Sequence, residues 1–102
     1  MEHALAELSP FLTPDGRLTA LPAKHKKKLA ALWYLAGKLE SVRQYTEPEV
    51  NDLLDAWTLF YDPATLRREL YNKRLLDRSA DCRRYWRAET LPALADFIAA
   101  YI

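Results

Sequence analysis

Residues 62–87 read DPATLRRELYNKRLLDRSADCRRYWR, and this stretch decides the fold. Asp62-Pro63 opens a helix, because a side chain that can cap free backbone N–H groups precedes a proline whose fixed φ suits the first turn. Leu66 and Leu70 recur at helical spacing, which predicts a helix through about Arg74 with those leucines turned inward. The pattern then changes. Leu75-Leu76-Asp77-Arg78 and Arg83-Arg84-Tyr85-Trp86-Arg87 flank the polar Ser79-Ala80-Asp81-Cys82, which reads as a short β-hairpin.

Upstream, Thr46-Glu47-Pro48-Glu49 starts another helix. Thr46 suits the N-cap and Glu49 stands three residues on, as in a capping box. Val50, Leu53, Leu54 and Trp57 give that helix its apolar face. From Lys24 to Leu39 the spacing of Leu29, Leu32, Trp33, Ala36 and Leu39 predicts an earlier helix. Thr13-Pro14-Asp15-Gly16 has turn chemistry, Arg17-Leu18-Thr19 reads as a brief extended piece, and Glu2–Leu8 as a short helix ended by Ser9-Pro10. Downstream, Pro92 begins a last amphipathic helix with Leu91, Leu94, Ala95, Ile98 and Tyr101 on one side. Three helices and then a hairpin predict a mainly α chain arranged as a winged helix-turn-helix with flanking N- and C-terminal helices. One domain spans 1–102, with its core over 17–88 and flanking helices at 2–9 and 91–102.

A net charge of +1 hides a polarised chain. Residues 66–88 hold eight basic side chains against three acidic ones, whereas the remainder holds seven against eleven. An anionic partner feels that local charge. On a helix whose inner side is Leu66 and Leu70, Arg67, Arg68, Tyr71 and Arg74 are the residues expected to read or grip duplex DNA, supported through phosphates by Arg78, Arg83 and Arg84. The guanidinium fork pairs with either a phosphate or a guanine edge. Glu69 and Asp77 would weaken that contact if they faced the same groove, and local pairing of Arg67 or Arg68 with Asp62 or Glu69 is the plainer alternative. A second reading takes the chain as a protein-interaction or dimerisation module without direct DNA contact, motivated by the apolar 91–102 helix; winged-helix regulators commonly form homodimers through such flanks.

Composition narrows the rest. Gly16 and Gly37 are the only glycines, too few for a phosphate-cradling loop. His3, His25 and Cys82 lie far apart with no ligand spacing, so neither metal nor other cofactor is expected. One cysteine precludes an internal disulfide and fits a reducing, cytoplasmic setting. No stretch approaches the roughly 20 apolar residues of a membrane span, and no catalytic constellation stands out. Lys24–Lys28 form a basic run that reads most simply as a solvated face, and Trp33, Trp57 and Trp86 read as packing residues rather than stacking platforms.

Several blocks carry a resemblance: Phe-Leu-x-x-Asp-Gly-Arg-Leu at 11–18, Leu-Pro-x-Lys at 21–24, Tyr-Thr-Glu-Pro-Glu-Val-Asn at 45–51, Leu-Arg-Arg-Glu-Leu at 66–70, and Leu76-Asp77-Arg78 with Tyr85-Trp86. Together they resemble a bacterial domain-of-unknown-function family often described as a transcriptional regulator, over about three quarters of the chain. In that family the domain stands alone or follows a separate DNA-binding domain. The resemblance implies the fold and a regulatory role, and it assigns no site residue.

Overall fold

The computed structural model describes residues 8–101. Within them lie a short 3-10 helix (Ser9–Phe11) and four α-helices: α1 (His25–Ala36), α2 (Glu47–Ala56), α3 (Pro63–Asn72) and α4 (Leu94–Tyr101). Three short strands, β1 (Gln44–Tyr45), β2 (Leu76–Arg78) and β3 (Tyr85–Arg87), form one antiparallel sheet in the order β1-β3-β2. The chain is thus mainly α with a small hairpin, as expected. The expected N-terminal helix over Glu2–Leu8 lies outside the described residues except for Leu8, which is buried.

The helix starts follow the local chemistry of the sequence. At α2 the capping box closes: the Glu49 amide donates to Thr46 Oγ1 at 3.3 Å, and the Thr46 amide donates to Glu49 Oε1 at 2.8 Å. Those bonds from Thr46 hold the Glu49 carboxyl below the usual carboxylate range. At α3 the Thr65 amide donates to Asp62 Oδ1 at 3.3 Å, with Pro63 in the first turn. Both helices bury a leucine-rich face: Val50 and Leu54 from α2, Leu66 and Leu70 from α3. α1 lies beneath them with Leu29, Leu32 and Leu35, and its three buried alanines leave room for close approach.

The end of α3 differs from the expectation. The helix stops at Asn72, and Arg74 turns to φ 60°, the left-handed region that favours glycine. The Leu75 amide donates to Leu70 O and the Arg74 amide to Tyr71 O, both at 3.0 Å, which is the bonding of a Schellman stop. Buried Leu70 and Leu75 flank it. A left-handed Arg costs about 1–2 kcal/mol, part of which glycine would forfeit again as unfolded-state entropy. Arg74→Gly is therefore expected to stabilise the domain by about 1 kcal/mol, read as a raised urea midpoint with an unchanged slope.

The hairpin lies where the sequence put it. Leu76 pairs with Arg87, Asp77 with Trp86 and Arg78 with Tyr85. β1, which sequence analysis missed, adds Gln44 opposite Trp86 and Tyr45 opposite Tyr85. Side-chain alternation turns Tyr45, Leu76 and Tyr85 into the core and leaves Gln44 and Asp77 exposed. Of the expected extended piece over 17–19, Leu18 alone forms bridges, antiparallel to Leu12 and parallel to Thr58. Leu18 is fully buried, its amide donates to Trp57 O at 2.8 Å, and its carbonyl accepts from the Leu59 amide at 2.9 Å. Gly16 (φ 85°) makes the turn before it, and a Cβ there would stand 2.8 Å from the Tyr34 hydroxyl that donates to Gly16 O.

α4 begins at Leu94 and packs on α1 through Leu94, Phe97 and Ile98, with Tyr101 next on the same stripe. That stripe leaves Ala95, expected inside, on the exposed side. Trp33 Nε1 donates to Pro92 O at 2.8 Å, and the Tyr101 hydroxyl donates to Lys73 O at 2.9 Å.

Candidate nucleic-acid interface

α3 carries Arg67 and Arg68, the first two basic residues of the 66–88 segment, and its orientation is fixed from three sides. Its inner face is Leu66 and Leu70, both fully buried. One flank is tied to α1, where Glu69 lies 3.3 Å from Lys28 Nζ and 3.5 Å from Lys73 Nζ. Burial pushes the Glu69 carboxyl up, but the bond and charge of Lys28, together with Lys73, outweigh it and hold the group below the usual range. Glu69 is thereby committed to these lysines. A depressed carboxylate contributes stability above its unfolded pKa and loses it as pH falls through the folded value, so this tie weakens only in acid.

The other flank is tied to α2 by Arg67. Its Nε donates to Asn51 Oδ1 at 2.7 Å, and its Nη1 lies 2.7 Å from Glu47 Oε1. With its side chain only 19% exposed, Arg67 is a strut between helices and has little reach left for a ligand. Neither Asp62 nor Glu69 is its partner. Asn51 on α2 is half of this clamp. Arg67→Met is expected to cost about 2 kcal/mol, because the half-buried Asn51 oxygen loses its donor, and chemical denaturation reads the loss directly.

The remaining sequence-predicted residues are exposed. Arg68 has no carboxylate partner among the described residues. Tyr71 is 38% exposed, and the Arg78 guanidinium lies 4.4 Å from its ring centroid. The surroundings of Arg78, with Cys82 the largest influence and Tyr71 next, hold its guanidinium above the usual arginine range. Arg74 projects from the Schellman turn. Arg84 Nη1 donates to Gln44 Oε1 at 3.0 Å, while Arg83 meets Asp81 only at 3.8 Å with its side chain 84% exposed. Asp81 is occupied in building the hairpin tip: it accepts from Ser79 Oγ at 2.6 Å and from the Arg83 amide at 3.1 Å, bonds that lower its pKa. Cys82 completes that tip at φ 60°.

The seven residues therefore fall into three groups. Arg67, Arg68, Tyr71 and Arg78 line one concavity of about 350 Å³ with Asn72 and Tyr85. Arg74 lies in an adjoining one of about 430 Å³ with Tyr71, Asn72 and Asp77. Arg83 and Arg84 face a third, of about 520 Å³, beside Gln44 and Glu49. Asn72 joins two of these sets and was missed; its only signal was a polar residue next to Tyr71 on an outward turn. Asp77 stays exposed, with Oδ1 accepting from the Arg78 amide at 2.8 Å.

The apolar stripe of α4 that suggested a dimer contact is covered by α1. Trp33 and Trp57 pack against the core, whereas half-buried Trp86 lines a concavity on the outer sheet face with Val42 and Gln44. Among the described residues no group of three or more His, Cys, Asp or Glu could hold a metal ion, and no helix is long and apolar enough to cross a membrane.

A mainly helical domain with a three-stranded antiparallel sheet and exposed arginines on α3, its C-terminal turn and the hairpin is thus the class to which the chain belongs. The family follows from residues 17–87, which match the one described as an uncharacterized protein conserved in bacteria (DUF2087); the chain is a member of that family. The matched span takes in α1 to α3 and the whole sheet and stops before α4. No curated protein and no solved structure matches the chain.

Proposed function

We propose that the chain is a winged-helix domain that binds duplex DNA through the outer face of α3, and that it serves in the cytoplasm as a transcription regulator. The observation that carries this reading is the division of labour on α3. Leu66, Leu70, Arg67 and Glu69 are spent on holding the helix, while Arg68 and Tyr71, with Arg78 stacked beside them, remain outside. The element order α1-β1-α2-α3-β2-β3 with sheet order β1-β3-β2 supports it, since a winged helix places its third helix in the major groove and its hairpin against the backbone.

In this reading Arg68 and Tyr71 meet base edges or the groove walls, and Arg74, Arg78, Arg83 and Arg84 pair with phosphates. Arg67 positions α3 and touches no DNA. The hairpin strands are three residues each, so the wing reaches only phosphates close to the groove that α3 enters. Commitment of Glu69 to lysines removes one of the two repulsions that the sequence raised. Amide chemical shifts of the labelled protein during titration with a random duplex test the assignment. The expected outcome is movement over 64–74 and 78–84. Movement confined to Lys24–Lys28 would transfer the interface to α1 and overturn the reading.

A further inference from the structure

The concavity between α3 and the hairpin is richer in positive charge and donors than one backbone phosphodiester needs. Arg67, Arg68, Tyr71, Asn72, Arg78 and Tyr85 line about 350 Å³. Glu47 from α2 balances Arg67 at 2.7 Å. Arg68 and Arg78 have no carboxylate side-chain partner among the described residues, which leaves two uncompensated guanidiniums at the pocket. Of the other acids nearby, Glu69 is paired with Lys28 and Lys73, and Asp77, an exposed carboxylate, lines the neighbouring concavity and not this one. The Tyr71 phenol and the Asn72 carboxamide add neutral donors, while the hydroxyl of buried Tyr85 donates to Glu47 Oε1 at 3.5 Å. Such a lining suits an oxyanion, and guanidinium forks match the geometry of phosphate oxygens. Stacking on Tyr71 also holds Arg78 in place before any ligand arrives, which reduces the ordering cost of binding.

We propose that this pocket is a specific site for a dianionic phosphate monoester. The charge argument selects the monoester: two unbalanced cations match two negative charges, whereas a diester carries one. A phosphorylated small molecule and the 5′-phosphate end of a nucleic-acid strand present the same group. If the DNA-binding reading also holds, a small phosphomonoester here covers Arg68 and Tyr71 and displaces duplex, which makes the pocket an effector site.

The test uses the intact chain and calorimetry at constant ionic strength in chloride, with inorganic phosphate and dimethyl phosphate as probes. Phosphate is expected to bind saturably and to move the amides of Arg68, Tyr71 and Arg78, with dimethyl phosphate about tenfold weaker or worse. Arg78→Gln and, separately, Arg68→Gln are each expected to weaken phosphate about tenfold. Equal binding of the two probes, shifts spread over Lys24–Lys28, or unchanged affinity in both variants would overturn the proposal. A nucleoside 5′-monophosphate compared with a 5′-phosphorylated duplex then names the source, because the tighter ligand carries the missing contacts. Loss of the phosphate site with duplex binding intact leaves the DNA reading standing, and the reverse result leaves the site standing without it.

Discussion

Reversal of Arg68 and Arg78 together to glutamate is expected to weaken duplex binding by about 100-fold or more while the fold survives. Both side chains are exposed and neither holds a carboxylate in the described structure, so their loss removes little packing. Each reversal deletes a phosphate or base contact and adds a repulsion, and the two changes lie in one concavity where their effects compound. Fluorescence anisotropy at fixed salt reads the affinity, and circular dichroism confirms that the melting temperature has stayed within a few degrees. Affinity within about twofold of wild type would remove α3 from the interface.

The second large effect concerns stability. Leu70→Ala is expected to cost about 3 kcal/mol, in the middle of the range for a fully buried leucine whose neighbours close the gap only partly. Leu70 has two functions at once. It packs the inner side of α3, and its carbonyl accepts the Leu75 amide that ends the helix. The substitution keeps the backbone bond but empties the apolar contact that accompanies it. Against a total stability of about 5–15 kcal/mol for a domain of this size, such a loss is a large fraction. Urea unfolding measures it. A loss below about 1 kcal/mol would mean that α3 is anchored mainly by its flanking ion pairs, and the Arg67→Met variant would then show the larger effect.

What the sequence revealed and what it hid divide along the range of the interactions. Caps at Thr46 and Asp62 act within three residues, so their spelling was sufficient. The hairpin was legible from the polar break at 79–82 between apolar and aromatic segments. β1 was not, because two residues hold no periodicity and Gln44–Tyr45 become a strand only by pairing with β3 some 40 residues later. The end of α3 was misplaced by two residues because Asn72-Lys73-Arg74 lacks the glycine that usually marks a left-handed stop. There the burial of Leu75 overrides the cost of a left-handed Arg.

The candidate site was legible in composition and hidden in direction. Arginine enrichment over 66–88 is plain in the sequence, yet nothing local distinguishes Arg67 from Arg68. Their separation emerges only when α2 brings Glu47 and Asn51 across to one and leaves the other in solvent. Likewise the repulsion expected from Glu69 depended on which way it faced, and Lys28 on α1 decides that. Such long-range choices carry the difference between a basic segment and a basic surface.

The most direct test of the central claim is the salt dependence of binding to random duplex DNA. Four exposed cations, Arg74, Arg78, Arg83 and Arg84, are offered to phosphates in this account, and each contact releases condensed counterions. A plot of log K against log salt is expected to fall with a slope of about −4, shrinking by about one unit in an Arg84→Ala variant. No binding at low salt, or binding with a slope near zero, would contradict a DNA face on α3 and the hairpin.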